Sequence, residues 1–415
     1  MAAKIKDIVN TIFYSGVSLD EHIVVQKRLT DITKPVNVLY LSSYIPRKCG
    51  IATFTKDLTN AMNLINPLSI ARILAFDNPL MEKIDYPPEV VLRIRENEKR
   101  DYQKAVRFIN RHEEVDVVCL EHEFGLFGCN NGEKILELIK GIDKPIVSTF
   151  HTILKDPSEE QKRVIQEIGR RSTYMIAMLG QSVKTLKEIY NLPTRKMVVI
   201  PHGVPDFPRA NTQRLKRKFR LEGKVVMASS NLLSPVKGIE LAIRSIPEII
   251  EKVPNFLYLV LGETHPVYIK DHGNKDEYRE LLVGLTKKLG ITKHVKFVNR
   301  YLSLQELINY VGACDYYVTP YLDPQQSASG ALAYAIGAGK TCISTPYPYA
   351  KEMLSRGRGT LVPFKDSGAI AKAVIDLELN PDKKQDIEEK AYEMGRTMTW
   401  NSVAHQYYHL FHFAL

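Results

Sequence analysis

The chain has 415 residues, 44% of them hydrophobic and 25% charged, which is ordinary for a soluble globular protein and long enough for two domains with separate cores. Its formal charge of +10 comes from scattered lysines and arginines, with local clusters such as Arg214 to Arg220. No arginine-rich arm or aromatic RNA-binding motif accompanies them, which argues against nucleic acid, whereas nucleotide phosphates suit the charge and a peripheral contact with an anionic membrane stays open.

Five cysteines (Cys49, Cys119, Cys129, Cys314 and Cys342) are odd in number, far apart and without a paired Cys-x-x-Cys spacing, so neither a disulfide framework nor a zinc site is indicated. No long apolar run is present, and Met1 to Asn10 is too charged for a signal peptide, so the expected location is cytoplasmic.

Residues 1–34 read as an N-terminal extension with a helix near Ile5 to Phe13. After Pro35, Val36 to Leu41 reads as a buried strand. It is followed by the basic loop Ser42 to Gly50, which contains Arg47 and Lys48, and by an amphipathic helix from about Ile51 to Leu64. Such a loop at the carboxyl end of a first parallel strand is a good ligand position, although it does not spell the dinucleotide GxGxxG fingerprint. Further strands are expected over Ala71 to Phe76, Val115 to Leu120, Pro145 to Phe150, Met175 to Met178 and Met197 to Ile200. Helices are expected at Tyr102 to Arg111 and Gly132 to Ile139, and the spacing predicts a doubly wound parallel sheet.

Three strand ends carry chemistry: Glu121-His122-Glu123-Phe124, Phe150-His151-Thr152, and Pro201-His202-Gly203-Val204-Pro205-Asp206. The first has metal-ligand residue types, but alternation along a strand sends neighbouring side chains to opposite faces, so no metal is expected there. The loop reads instead as a wall reaching toward a cleft.

The pattern then restarts, with Pro205 to Thr212 as the boundary. Strands are expected at Lys224 to Ser229, Leu257 to Gly262, Val295 to Val298, Tyr316 to Pro320, Thr341 to Thr345 and Gly359 to Val362, and a helix at Ile239 to Val253. The loop Asn231 to Gly238 contains Lys237, and Glu263 follows a strand end. In Leu322 to Thr345, a polar turn with Gln326, Ser327, Ser329 and Gly330 opens into an apolar helix bearing Tyr334. A helix start flanked by Ser and Gly aims unpaired N–H groups at the preceding loop, which suits a phosphate, although a plain Ser-capped core helix accounts for the same residues. Glu352 sits on a later helix, as a cleft carboxylate or a solvated charge. Trp400 to Leu415 is an aromatic-rich terminal helix whose apolar positions need a partner.

Two such halves, with Thr149-Phe150-His151-Thr152, Val199 to Val204, Ser234-Pro235-Val236-Lys237-Gly238 and Gly339 before the strand Thr341 to Thr345, resemble the GT-B glycosyltransferases. More narrowly they resemble the retaining family 4 group, glycosyl transferases group 1. The Ser329 to Ala335 and Ser344 to Tyr347 segments are similar to a bacterial branch associated with mannoside metabolism. The resemblance covers nearly all of residues 35–415. It implies an α/β fold of two Rossmann-like doubly wound domains facing across a cleft. These would be an acceptor-side domain over 35–208, with the helix 397–415 packing back on it, and a nucleotide-sugar-binding domain over 209–396.

The resemblance implies a hexosyltransferase that uses a nucleotide-diphosphate sugar, GDP-mannose as first candidate, a saccharide or lipid-linked acceptor, and no cofactor or metal. Lys237 would meet the diphosphate, with Gly50, Arg47, Ser329 and Gly330 around it. His151 would stand near the sugar carbon under attack. Glu121, His122, Glu123 and Phe124 would line the acceptor side, and His202 and Asp206 would hold the domain junction. The group's two usual glutamates are represented here by Gln326 and Tyr334, and its arginine upstream of the lysine by Leu232, with Arg300, Arg279 or Lys340 as candidate compensations. A phosphorylase, a nucleotide-sugar epimerase or a noncatalytic sugar-nucleotide-binding protein on the same architecture remains an alternative.

Overall fold

The computed structural model describes residues 34–77, 85–129, 131–209, 212–230 and 232–415. The expected helix near Ile5 to Phe13 lies outside them.

The first half runs β1 (Val38–Ser42), α1 (Gly50–Ile65), β2 (Arg72–Asp77), β3 (Val90–Arg95), α2 (Lys99–Arg111), β4 (Val117–His122), α3 (Ile135–Gly141), β5 (Ile146–Phe150), α4 (Glu159–Arg171), β6 (Tyr174–Ala177), α5 (Gly180–Glu188) and β7 (Met197–Val199). Its strands are all parallel, in the order β3-β2-β1-β4-β5-β6-β7. β1, β4 and β5 are buried along their whole length because helices cover both faces, as parallel sheets require. β3 was not anticipated. It is an edge strand whose burial alternates, so Val90-Val91-Leu92-Arg93-Ile94-Arg95 lacks the continuous apolar run of its neighbours.

The second half runs α6 (Thr212–Phe219), β8 (Val225–Ser230), α7 (Ile239–Lys252), β9 (Phe256–Leu261), α8 (Pro266–Asp271), α9 (Glu277–Lys288), β10 (Val295–Val298), α10 (Leu304–Ala313), β11 (Tyr316–Thr319), α11 (Gly330–Gly337), β12 (Thr341–Ser344), α12 (Pro348–Met353), β13 (Thr360–Leu361), α13 (Ser367–Leu379), α14 (Pro381–Thr397) and α15 (Trp400–Ala414). Its sheet, again parallel, has the order β10-β9-β8-β11-β12-β13. Both expected doubly wound sheets are therefore present.

The last helix, α15, leaves the second half and lies against α1. Trp400, Val403, Ala404, Tyr407, Leu410, Phe411 and Ala414 recur at helical spacing and share one core with Tyr40, Phe54, Leu58 and Met62. Each large side chain buried this way contributes about 1.5–3 kcal/mol, and so α15 is a firm strut beneath the first sheet.

Candidate functional site

In a doubly wound sheet the crevice opens at the carboxyl ends of the two strands where the order reverses. That point falls between β1 and β4 in the first sheet and between β8 and β11 in the second. The two crevices face one another and enclose a cleft of about 380 Å³. One wall is Gly50, Thr53 and Phe54 from α1, Glu123 after β4, and His151 and Thr152 after β5. The other is Ser230 and Leu232 after β8, Gly262 and Glu263 after β9, and Gln326, Ala328, Gly330 and Tyr334 around α11.

The start of α11 opens into this cleft. Ser329 is its N-cap, with Oγ accepting from the Leu332 N–H at 3.2 Å, and Gly330 and Ala331 of the first turn line the space. First-turn N–H groups lack intrahelical partners, so this wall favours an anion. A Cβ on Gly330 would lie 3.1 Å from His202 Nε2, while one on Gly50 would meet nothing within 4 Å. His202 Nδ1 bonds the Gly203 carbonyl at 2.7 Å, which leaves Nε2 as an acceptor beside the helix start. Burial pushes the His202 pKa down to about 4, and the nearby His151 pushes in the same direction.

Lys237 is linked to that helix start through Tyr321. It ends a short 3-10 turn closed by Gly238, whose φ of 62° and whose approach to the Pro320 carbonyl, 2.1 Å from an added Cβ, admit no side chain. Its Nζ lies 4.2 Å from the centre of the Tyr321 ring, and the Tyr321 hydroxyl is 3.3 Å from Ser329 Oγ. Burial lowers the Lys237 pKa to about 8, against the opposing pull of Asp323. Among the described residues it forms no ion pair. An ammonium so placed is stabilised by an incoming anion more than a solvated one would be.

On the facing wall, buried His151 places Nε2 at 2.8 Å from Glu121 Oε2, and its ring meets Phe54 edge-on at 4.7 Å. Glu123 accepts from the Thr152 hydroxyl at 2.7 Å and from the Phe124 N–H at 2.9 Å. The walls are tied across the cleft. Ser327 Oγ accepts from the Ile153 N–H at 3.0 Å, Lys48 pairs with Glu263 at 2.8 Å, and the Tyr334 hydroxyl donates to Asp57 at 2.9 Å.

Burial raises the Asp57 pKa from 3.8 to about 6, with the Tyr334 hydrogen bond opposing it. A carboxyl raised in this sense binds its proton more tightly folded than unfolded, so its stabilising contribution is full below the unfolded value and falls as pH rises through the folded one. Asp57→Asn, which keeps a neutral acceptor for Tyr334, should therefore gain stability relative to the natural chain as pH is raised from about 4 to 6.5. Urea denaturation at several pH values measures it; a difference independent of pH would contradict the assignment.

Several expected site residues lie elsewhere. Arg47 turns into the first half, donating to the Phe76 carbonyl at 3.0 Å, and Lys48 is engaged by Glu263, so neither is free for a diphosphate in this arrangement. Glu121 is fully buried behind His151 and does not line the acceptor wall. His122 and Phe124 are also turned inward: His122 packs against Phe124, Phe127 and Phe150, both ring nitrogens lack partners, and burial drives its pKa down to about 3. Of that stretch Glu123 alone lines the cleft.

Glu352 caps α5, accepting from the Gly180 N–H at 2.7 Å and the Gln181 N–H at 3.0 Å, and borders a different cavity of about 420 Å³ with Arg356, Arg358 and Gln406. Asp206 pairs with Arg396 at the junction. Gln326 donates to the Ala328 carbonyl at 2.7 Å and faces the cleft.

Of the proposed compensating cations, Arg300 is paired with Glu306 and Lys340 is buried against the Gly312 carbonyl, while Arg279 braces the cleft loop through the Gly262 carbonyl at 2.9 Å. Sequence reasoning missed Asp57, Thr53, Tyr301 and Trp400. The first three are polar residues at otherwise ordinary helix or loop positions, and nothing local marks them.

Two parallel α/β domains with opposed switch-point crevices define the GT-B architecture. An Anabaena protein, HepE, crystallised with UDP and glucose, superposes with a TM-score of 0.69 at 16% identity over 90% of this chain and 99% of its own. A glycosyltransferase from Rickettsia africae does so with a TM-score of 0.70 at 17% identity over 92% and 99%. Residues 211–394 match the family Glycosyl transferases group 1. A phosphatidyl-myo-inositol mannosyltransferase of Mycolicibacterium smegmatis is 24% identical over 272 residues. The matched stretch spans 65% of this chain and 65% of that relative.

Proposed function

We propose that this protein is a retaining hexosyltransferase that moves a sugar, mannose as first candidate, from a nucleotide-diphosphate sugar to a hydroxyl of a saccharide or lipid-linked acceptor. The observation that carries the reading is a cleft with the open first turn of α11 on one wall and His151 on the other, the Lys237 ammonium being linked to that turn through Tyr321. As the glycosidic bond breaks, charge develops on the departing diphosphate, and fixed N–H groups with an adjacent ammonium stabilise that charge without reorganisation. Gln326 lines the same cleft, and its amide can hydrogen-bond a sugar hydroxyl.

The Glycosyl transferases group 1 domain, the mannosyltransferase relative and the UDP-bound structural neighbour support a nucleotide-sugar donor. Among the described residues no helix is long and apolar enough to cross a membrane. A lipid-linked acceptor would therefore be reached at a membrane surface, where the formal charge of +10 favours anionic headgroups.

The test is incubation with GDP-mannose or UDP-glucose, each with and without phosphatidylinositol vesicles or a soluble glycoside, followed by NMR of the product anomer. Acceptor-dependent release of nucleoside diphosphate with retained α configuration is expected. Product that requires inorganic phosphate would make the protein a phosphorylase, a changed sugar without acceptor an epimerase, and binding without turnover a sensor.

A further inference from the structure

Glu121, Thr149 and Tyr407 belong to none of the substrate-facing walls, yet they converge on the histidine that does. Glu121 Oε2 lies 2.8 Å from His151 Nε2. Its other oxygen, Oε1, accepts from the Cys119 thiol at 3.3 Å and from the Thr149 hydroxyl at 3.4 Å. Thr149 Oγ1 is in turn 2.9 Å from the Tyr407 hydroxyl of α15. All these groups are buried, and His151 retains only 5% exposure, directed at the cleft. Since the Thr149 proton is committed to the carboxylate, Tyr407 must donate to Thr149, and the hydrogen bonds run in one sense from α15 to Glu121.

We infer that α15 positions the reacting site: the chain Tyr407–Thr149–Glu121 holds His151 as the Nε2–H tautomer, so that its bare Nδ1 faces the cleft as a hydrogen-bond acceptor for a substrate hydroxyl. The inference rests on the transfer reading for the identity of that hydroxyl, but not for the tautomer. Tyr407, Thr149 and Glu121 are positioning residues, acting through His151. A second, apolar support comes from the same helix: Trp400 packs on Phe54 at 5.1 Å, and Phe54 meets the His151 ring edge-on at 4.7 Å. One helix thus fixes the imidazole from its bonded edge and from its face. Orientation of this kind matters because a misplaced acceptor loses most of its value in the transition state.

The other buried titratable groups around the pair are neutral. Cys119, Tyr40 and Tyr407 are held protonated by burial, and His122 and His202 are held neutral by it. Glu123, the next carboxylate along the chain, is engaged by the Thr152 hydroxyl and the Phe124 N–H.

The experiment is NMR of the full chain carrying isotope-labelled histidine, with His151→Asn to assign the signal, alongside steady-state kinetics of the variants. A neutral Nε2–H tautomer is expected in the natural protein. Tyr407→Phe should lower kcat about 3- to 10-fold with little change in donor KM, since orientation and not binding is lost. Thr149→Ser should retain the natural rate and Thr149→Val should not. Glu121→Gln removes the charged acceptor at Nε2, so the share of the Nε2–H tautomer should fall.

A proton on Nδ1 in the natural protein, or a tautomer ratio unchanged in Glu121→Gln, overturns the inference. If Glu121→Gln does not fold, the tautomer and the Thr149 pair decide alone. Should the tautomer be as stated and no donor be turned over, the transfer reading fails while this one stands.

Discussion

Lys237→Ala is expected to lower hexosyl transfer about 10²- to 10³-fold with no loss of stability, the scale for deleting one preorganised group that stabilises developing charge. The side chain is spent on no ion pair among the described residues, and its Nζ rests over the Tyr321 ring, so its removal breaks no bonded network. Its titration supplies a second signature. The lysine pKa is lowered from 10.5 to about 8 by burial, so the free protein loses this cation progressively above that pH. A bound diphosphate would restore the proton, and donor affinity should therefore weaken as pH rises past about 8, with proton uptake on binding. In the unliganded protein the sign is opposite for stability. The native state carries the cost of the buried ammonium in full below the folded pKa, and that cost disappears as pH climbs toward the unfolded value. Calorimetric titration with GDP-mannose in buffers of different ionisation enthalpy measures the uptake, and Lys237→Ala should abolish it. An alanine variant with natural turnover would remove Lys237 from the site.

Gly203→Ala should cost about 3 kcal/mol of stability and, in the molecules that still fold, most of the activity. Its added Cβ would lie 2.1–2.3 Å from three indole atoms of Trp400. Neither side can yield easily. Val204 N–H donates to the Met398 carbonyl and Trp400 N–H donates to the Val204 carbonyl, each at 2.8 Å, so the two strands of chain are stitched on both sides of the clash. Any displacement of Trp400 passes through Phe54 to His151, and of His202 to the start of α11. Loss of stability would appear in urea denaturation, and loss of activity as a fall in kcat. A variant of natural stability would show that Trp400 is less fixed than its contacts imply.

The sequence spoke clearly wherever one physical pattern dominated. Long apolar runs bounded by loops located the central strands of both sheets, and the Ser329–Gly330 start of α11 was readable because a cap and an apolar run occur together. Edge strand β3 escaped because it alternates between exposed and half-buried or buried positions, which in six residues resembles a loop. Alternation in β4 correctly separated Glu121 from His122, but in a sheet covered on both faces alternation cannot say which face meets the site. Glu121 proved to stand behind His151, and His122 to sit among phenylalanines. Glu352 was a plausible cleft carboxylate by position in the chain. Only the turn of α12 toward α5 reveals that it caps Gly180 and Gln181 instead. The Tyr334–Asp57 bond joins residues far apart in sequence, and nothing local could have paired them.

The most direct measurement is hydrogen exchange of the intact protein with and without GDP-mannose or UDP-glucose. Slowed exchange is predicted in peptides covering Gly50–Phe54, Leu232–Gly238 and Gln326–Tyr334, with Lys237→Ala reducing the effect at each. Protection confined to the cavity of Arg356, Arg358 and Gln406, while these three stretches exchange as before, would contradict the placement of the diphosphate between the two domains.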